Sequence, residues 1–421
     1  MTKTQGQVSS SRAIAAFALG TLFFSYAFVQ RVAPSVMTGE LMRDFAVGGA
    51  ALGSLSAWYF YTYATIQLPV GMLTDRFGPR KLMSTAMALC AFASLGFAMS
   101  DSLFAASVSR ALVGATVGFG FVGTLAIAAY WFHSSRFAML AGVIQTAGMI
   151  GGMLGQAPLG IAVEHVGWRS TMMSLGALAA LLSLLLYFVI PRRPRDKNTA
   201  SPSVARKPAH GVGQVIRNPQ SWYCAAIGFG LSSVMLGFVG LWAVPWLSTV
   251  QGFGRAEAAG IASMLFLGWA LGAPIWGWLS DHLGRRKPMA MVGVVFNIAV
   301  YTVILFAGIQ SSVLLSMLFF VAGVFGASMT VTFSCIRELN ASDNSGTALG
   351  LMNMCVVGSG AVTQPLVGWL LDRNWEGVLV EGERIYSSGN YDTALLVFYA
   401  TNLLALGGVA MMKETYCRQI A

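Results

Sequence analysis

The sequence predicts an all-α integral membrane protein of twelve transmembrane helices arranged as two six-helix halves. Hydrophobic residues make up 56% of the 421-residue chain and charged residues only 10%, a balance foreign to soluble globular domains. Apolar runs of about 20 residues, the length that crosses a hydrocarbon core roughly 30 Å thick, recur twelve times along the chain. One polar loop is also written twice, as Gly71-Met-Leu-Thr-Asp75-Arg76-Phe-Gly78-Pro-Arg80-Lys81 and as Gly277-Trp-Leu-Ser-Asp281-His-Leu-Gly284-Arg285-Arg286-Lys287, with its aspartates 206 residues apart. Matching interruptions in two apolar halves mark a carrier built from internal repeats.

The first six spans lie near 13–38, 51–72, 81–100, 103–132, 137–161 and 170–190. The first is too long for a removed signal peptide, lacks a small-residue cleavage site and holds Arg31, so it is expected to stay as a working helix. Glycines at 148, 151, 152 and 155 give the fifth span the spacing of close helix packing. A Pro- and charge-rich stretch from Pro191 to His210 then reads as a linker. The second six spans lie near 221–249, 256–279, 288–309, 311–335, 346–371 and 392–412. The expected division is therefore an N-terminal half over 1–190, a cytoplasmic linker over 191–217 and a C-terminal half over 218–421. Five cysteines (Cys90, Cys224, Cys335, Cys355 and Cys417) show neither paired nor metal-ligand spacing, so no disulfide framework, metal or cofactor is expected.

Orientation follows from positive charge, which is held on the cytoplasmic side. With the N-terminus inside, 19 of the 26 Lys and Arg residues fall on inner segments and only five (Arg43, Arg169, Arg255, Arg373 and Arg384) on outer loops. Both termini are thus expected in the cytoplasm of a cell whose inner or plasma membrane holds the protein. The formal charge of +10 is explained by topology and attraction to anionic lipid, with no need for a nucleic-acid partner.

In each copy of the doubled loop an Asp sits at the membrane face beside a cluster of Arg and Lys. Such an Asp can accept hydrogen bonds from the positive N-terminus of a neighbouring helix. If the halves are related by a two-fold axis along the membrane normal, Asp75 should meet Ser345-Gly346-Thr347, and Asp281 should meet Ser135-Arg136. Asp75, Arg76, Arg80, Asp281, Arg285 and Arg286 are therefore candidate gating residues, whose contacts latch the halves and break on rocking.

These loops closely resemble the hallmark after helices 2 and 8 of the major facilitator superfamily, and the resemblance extends to the twelve spans, the basic linker and the helix-4 element Arg110-Ala-Leu-Val-Gly114-Ala-Thr-Val-Gly118. The first copy departs from the pattern at Pro79 and the second at His282. Membership would imply alternating access around a central cavity without ATP hydrolysis, and no phosphate-binding Gly-x-x-x-x-Gly-Lys-Ser/Thr loop is present. The resemblance also implies a coupling role for Arg110. A weaker resemblance, Gln30-Arg31 followed by Asp44-Phe45, is to the anion:cation symporter group, in which an Asp commonly stands where this chain has Gln30.

Charge inside a span is expensive and functional by default. Arg31 is suited to grip a carboxylate or phosphate, with snorkelling to the outer interface as its structural alternative. Further cavity candidates are Tyr26, Tyr59, Tyr63, Gln145, Trp242, Asn353 and Gln364, with packing an equal alternative for each. The hydroxyls of Tyr59 and Tyr63, at i and i+4 on one face, are placed to orient an anion held by Arg31. All sixteen acidic residues fall in loops or helix ends, which counts against a cation exporter and leaves proton or counter-anion coupling open. Glu338 and Glu164 are the candidate proton sites. No His/Cys/Asp/Glu cluster lies inside a span, which excludes a membrane enzyme. The expected function is transport of a small organic anion by a monomer. The alternatives are a multidrug or neutral-solute (sugar, peptide or siderophore) carrier and a non-transporting membrane sensor.

Overall fold

A backbone immersed in hydrocarbon must satisfy its own hydrogen bonds, and this chain does so almost wholly with helices. The computed structural model describes residues 10–133, 136–191 and 208–420. The N-terminal half comprises α1 (Ser10–Val32), a 3-10 turn (Ala33–Val36), α2 (Thr38–Phe45), α3 (Gly49–Phe77), α4 (Pro79–Ala98), α5 (Leu103–Val117), α6 (Phe119–Trp131), α7 (Phe137–Leu154) and α8 (Ala157–Val189). After α9 (Pro208–Arg217), the C-terminal half continues with α10 (Pro219–Ser233), a π-helical stretch (Val234–Trp242), α11 (Ala243–Thr249), α12 (Arg255–Leu283), α13 (Lys287–Phe306), α14 (Ser312–Gly326) and α15 (Met329–Glu338). It ends with α16 (Ser345–Arg373), a small hairpin of β1 (Leu379–Val380) and β2 (Glu383–Arg384), and α17 (Ser388–Met411). In the hairpin Leu379 pairs with Arg384 and Val380 with Glu383.

Among the described residues, ten stretches are long and apolar enough to cross a membrane. One of them, Met139–Val189, is 51 residues long and is broken at Gly167, whose φ of +78° lies outside helical geometry. The 29-residue α3 is not among the ten, because Tyr59, Tyr61, Thr62, Tyr63 and Gln67 dilute its apolarity. Dividing the long stretch at Gly167 and counting α3, which falls short of that apolarity, would bring these ten to the twelve expected from the sequence. The last ten residues of the expected linker form α9, which packs on α10 and α16, while residues 192–207 lie outside the described residues.

The two halves meet on the face away from the doubled loops. There α3 crosses α16 backbone to backbone, since a Cβ at Gly368 would collide with the Gly49 carbonyl and one at Gly53 with the Gln364 carbonyl. On the other side of the bundle, Gly152 of α7 seats the Phe266 ring of α12. The turn Ala33–Val36 is fully buried above α1 and closes this face against the π-helical stretch. Toward the loop face, Gly71, Gly142, Gly277 and Gly350 of the same helices make no such close crossing. Side chains added at these four would meet nothing within 4 Å, and Met72, Met139 and Trp278 are exposed. The halves are thus packed backbone to backbone at the face away from the doubled loops, which is the sealed face of this conformation.

Candidate anion site and gates

Phe28 and Arg31 share a face of α1 at i and i+3, and Tyr59 and Tyr63 share a face of α3 at i and i+4. Packing α1 on α3 makes these faces one surface. The Arg31 guanidinium lies 4.2 Å from the Phe28 ring centroid, 5.0 Å from that of Tyr63 and 5.7 Å from that of Tyr59. Arg31 is only 5% exposed, so it is held inside the bundle by aromatic faces and does not reach an interface by snorkelling. Gly114 brings α5 against the Tyr59 backbone, where any side chain would collide. Arg110, one turn earlier, therefore lies 5.1 Å from the Tyr59 ring centroid and donates Nη1 to the Gln30 carbonyl at 2.8 Å.

Tyr59 thus has two buried guanidinium groups beside it. Among the described residues neither Arg31 nor Arg110 enters an ion pair, and Arg31 Nε, Arg110 Nε and Arg110 Nη2 have no hydrogen-bond partner. Burial of an ion costs several kcal/mol even after relaxation, and no carboxylate among the described residues offsets it here. The Tyr59 hydroxyl donates to the Ala27 carbonyl at 2.9 Å, so this residue presents its ring to the arginines while its proton is already engaged. Its ring stacks on that of Tyr63 at 6.0 Å and 11°.

The other candidates divide by depth. Tyr26 is buried within the N-terminal half, donating to the Leu175 carbonyl at 3.0 Å and accepting from Gln30 Nε2 at 2.5 Å. Trp242 and Gln364 are fully buried in the sealed face: Trp242 Nε1 donates to the Gln364 carbonyl at 3.1 Å, and Gln364 Nε2 to the Leu236 carbonyl at 2.7 Å. Gln145 is exposed and Asn353 partly so. Each lies two helical turns toward the loop face from a glycine packed on an aromatic ring, Gly152 on Phe266 and Gly360 on Phe60.

Sequence reasoning missed three participants. Phe28 carries the shortest guanidinium-to-ring distance. Gln67 continues the Tyr59 and Tyr63 face by one more turn with its Nε2 buried and unpartnered, a signal the i, i+4 spacing already held. Gln156 donates to the Val239 carbonyl at 3.0 Å, so glutamines from both halves hold carbonyls of the π-helical stretch; only a backbone that departs from α-helical bonding reveals that need.

At the loop face, Arg286 is buried between Asp281 Oδ1 at 2.6 Å and Glu338 Oε1 at 2.8 Å. Burial works to lower its pKa, but the hydrogen bonds it donates to Glu338 and Asp281 outweigh it and hold the pKa above its ordinary value. Glu338, a candidate proton site, also accepts from Thr415 Oγ1 at 2.5 Å. Glu414 accepts from the Arg286 and Lys287 backbone N–H groups at 2.8 and 3.0 Å, so the C-terminal segment caps α13. Asp281 is bonded within its own loop, while Ser135, its expected partner across the halves, lies outside the described residues, as does the side chain of Asp75. Arg285 is exposed beside the Tyr416 ring at 5.7 Å and Arg76 is exposed beside Phe77 at 5.3 Å. Arg80 lies over Tyr187 at 4.5 Å, and Glu164 is exposed.

Comparison with known proteins gives consistent matches over nearly the whole chain. Residues 17–365 match the family described as Major Facilitator Superfamily. The chain is 24% identical over 386 residues to the membrane sensor protein UhpC of Escherichia coli, covering 86% of this chain and 87% of that protein. It is 21% identical over 412 residues to a probable sulfoacetate transporter, SauU, of Cupriavidus necator, covering 93% and 91%. A bacterial homologue of the human lysosomal transporter Spinster, solved in an inward-facing and occupied conformation, superposes with a TM-score of 0.76 at 17% identity over 96% of each chain.

Proposed function

The chain belongs to the Major Facilitator Superfamily, and on that premise we propose that it is a secondary carrier of a small organic anion, seated in the inner or plasma membrane with both termini cytoplasmic. The observation that carries this is the pair Arg31 and Arg110 beside Tyr59, buried without a carboxylate partner among the described residues. The probable transport of sulfoacetate, a small anion, by one relative supports the same substrate class. In the loop-open state, substrate passes Gln145 and Asn353, meets the Gln67 amide and settles against Arg31. A thermal-shift panel of sugar acids, sulfonates, phosphate esters, cations and neutral sugars tests it, because ligand binding raises the melting temperature by mass action. Only anions should stabilise the protein; stabilisation by neutral or cationic solutes alone would overturn the reading.

The same charges argue for the mode. An empty carrier passing through an occluded state would hold two uncompensated guanidinium groups away from water, at a cost a bound anion removes. Exchange of one anion for another is then faster than return of the empty site. Proteoliposomes preloaded with the anion should take up the labelled anion about tenfold faster than empty ones, the equivalent of about 1.4 kcal/mol in the reorientation barrier. Equal rates would contradict exchange.

Asp75, at the loop end of α3, is proposed to cap the start of α16 when the loop face closes. Asp75→Asn should slow flux several-fold and leave anion affinity unchanged, since it disturbs switching and not the site; flux equal to wild type would refute the latch. The likeness to a membrane sensor protein favours one second reading, binding without translocation, which predicts an anion-dependent melting shift with no flux in either direction.

A further inference from the structure

At the sealed face an acidic residue stands where its own helix disfavours it. Asp372 is in the last turn of α16, where the partial negative charge of the helix C-terminus opposes a carboxylate. Its stabilisation comes from the other half. Oδ1 accepts from Gly49 N at 2.9 Å and Oδ2 from Ala50 N at 2.9 Å, so Asp372 caps the first turn of α3 across the interface. Tyr386, 2% exposed, donates its hydroxyl to Asp372 Oδ1 at 2.6 Å and accepts from Gly49 N at 2.8 Å. Arg384, presented by the β1–β2 hairpin, approaches Oδ1 at 3.2 Å. Gly48 allows the carboxylate in, since a Cβ there would collide with it.

We infer that Asp372 is the latch that holds the sealed face shut during transport. Its partners on α3 exist only while the halves are docked there, and undocking leaves two helix N–H groups uncapped and the carboxylate at an unfavourable helix end. The interface between α7 and α12 has no equivalent: α12 begins without a side-chain cap, and its first residue, Arg255, makes an ion pair with Glu40 at 2.5 Å whose two side chains are 31% and 16% exposed. That pair is a single contact, whereas the Asp372 carboxylate accepts from two backbone N–H groups of α3 and from the Tyr386 hydroxyl. The latch is therefore one-sided, with Asp372 and Tyr386 dominating and Glu40–Arg255 minor. The chain already uses this chemistry elsewhere, in Glu414 capping α13; at Asp372 the cap comes from the opposite half.

Opening of the sealed face can be read directly and without knowing the substrate. Ser56 lies on the α16-facing side of α3 between Gly53 and Phe60, fully buried and with no partner for its hydroxyl. In purified protein carrying Ser56→Cys, with Cys355 and Cys417 changed to Ser and the other three cysteines buried, the rate of maleimide labelling reports transient opening. Asp372→Asn replaces an acceptor by an amide donor, and Gly48→Ala displaces the carboxylate. Each should raise the labelling rate about tenfold, the effect of losing one charge-assisted hydrogen bond. Tyr386→Phe should give a smaller rise, and Glu40→Gln should stay within about threefold of the parent. Melting temperatures separate opening from unfolding, and Gly48→Ala and Tyr386→Phe carry the test if Asp372→Asn does not fold. Labelling at the parent rate in Asp372→Asn and Gly48→Ala, or a larger effect from Glu40→Gln, would overturn the latch. Because no ligand is involved, that outcome leaves the anion-carrier reading untouched.

Discussion

Arg31→Ala should abolish anion binding while leaving the empty protein as stable as wild type. Truncating one side of a buried, hydrogen-bonded charge contact typically costs about 2–5 kcal/mol of binding, so affinity should fall about 30-fold or more. Stability should move differently. Removing the guanidinium forfeits its contacts with the Phe28, Tyr59 and Tyr63 rings, each worth about 1 kcal/mol, but also removes the burial cost of a charge with no carboxylate partner among the described residues. These terms oppose one another, and the melting temperature without ligand should change little. Thermal denaturation with and without anion checks both halves of this expectation. If the ligand-free protein instead lost much of its stability and the anion response survived, Arg31 would be a structural residue.

Arg286→Met should do the reverse, destabilising the protein and leaving the anion site intact. Arg286 and Glu338 are a buried pair, their side chains 7% and 6% exposed, and removing one partner of such a pair leaves an uncompensated charge at a cost of about 3–5 kcal/mol. Asp281 would lose its ion-pair partner as well. The double change Arg286→Met with Glu338→Leu should recover most of the loss, because it removes the stranded carboxylate. Denaturation midpoints of both variants measure this. A single variant as stable as wild type, or a double variant less stable than the single, would show that the pair is not what holds the loop to the C-terminal segment.

The two-half architecture was legible because hydrocarbon imposes one requirement on every span, and the doubled loop marks the repeat at Asp75 and Asp281. Arg31 was legible for the same reason, since a charge in an apolar run stands out. The division of labour among the polar candidates was not. Tyr26, Trp242 and Gln364 read the same as Tyr59 and Gln145 in sequence, and only the rotation of each helix sends the first three into packed contacts. The polar side chains that α3 brings beside Arg31, Tyr59 and Tyr63 among them, also lower the apolarity of its span. Asp372 escaped because an Asp at a helix end looks like a loop residue until the opposite half supplies the N–H groups it caps.

The most direct test of the central claim is uptake into proteoliposomes of the labelled anion that most stabilises the protein, compared between wild type and Arg31→Ala. Saturable uptake by wild type that falls to the protein-free background in Arg31→Ala is the predicted result. Uptake that Arg31→Ala leaves intact, or transport confined to neutral or cationic solutes, would contradict an anion carried against Arg31 and Arg110.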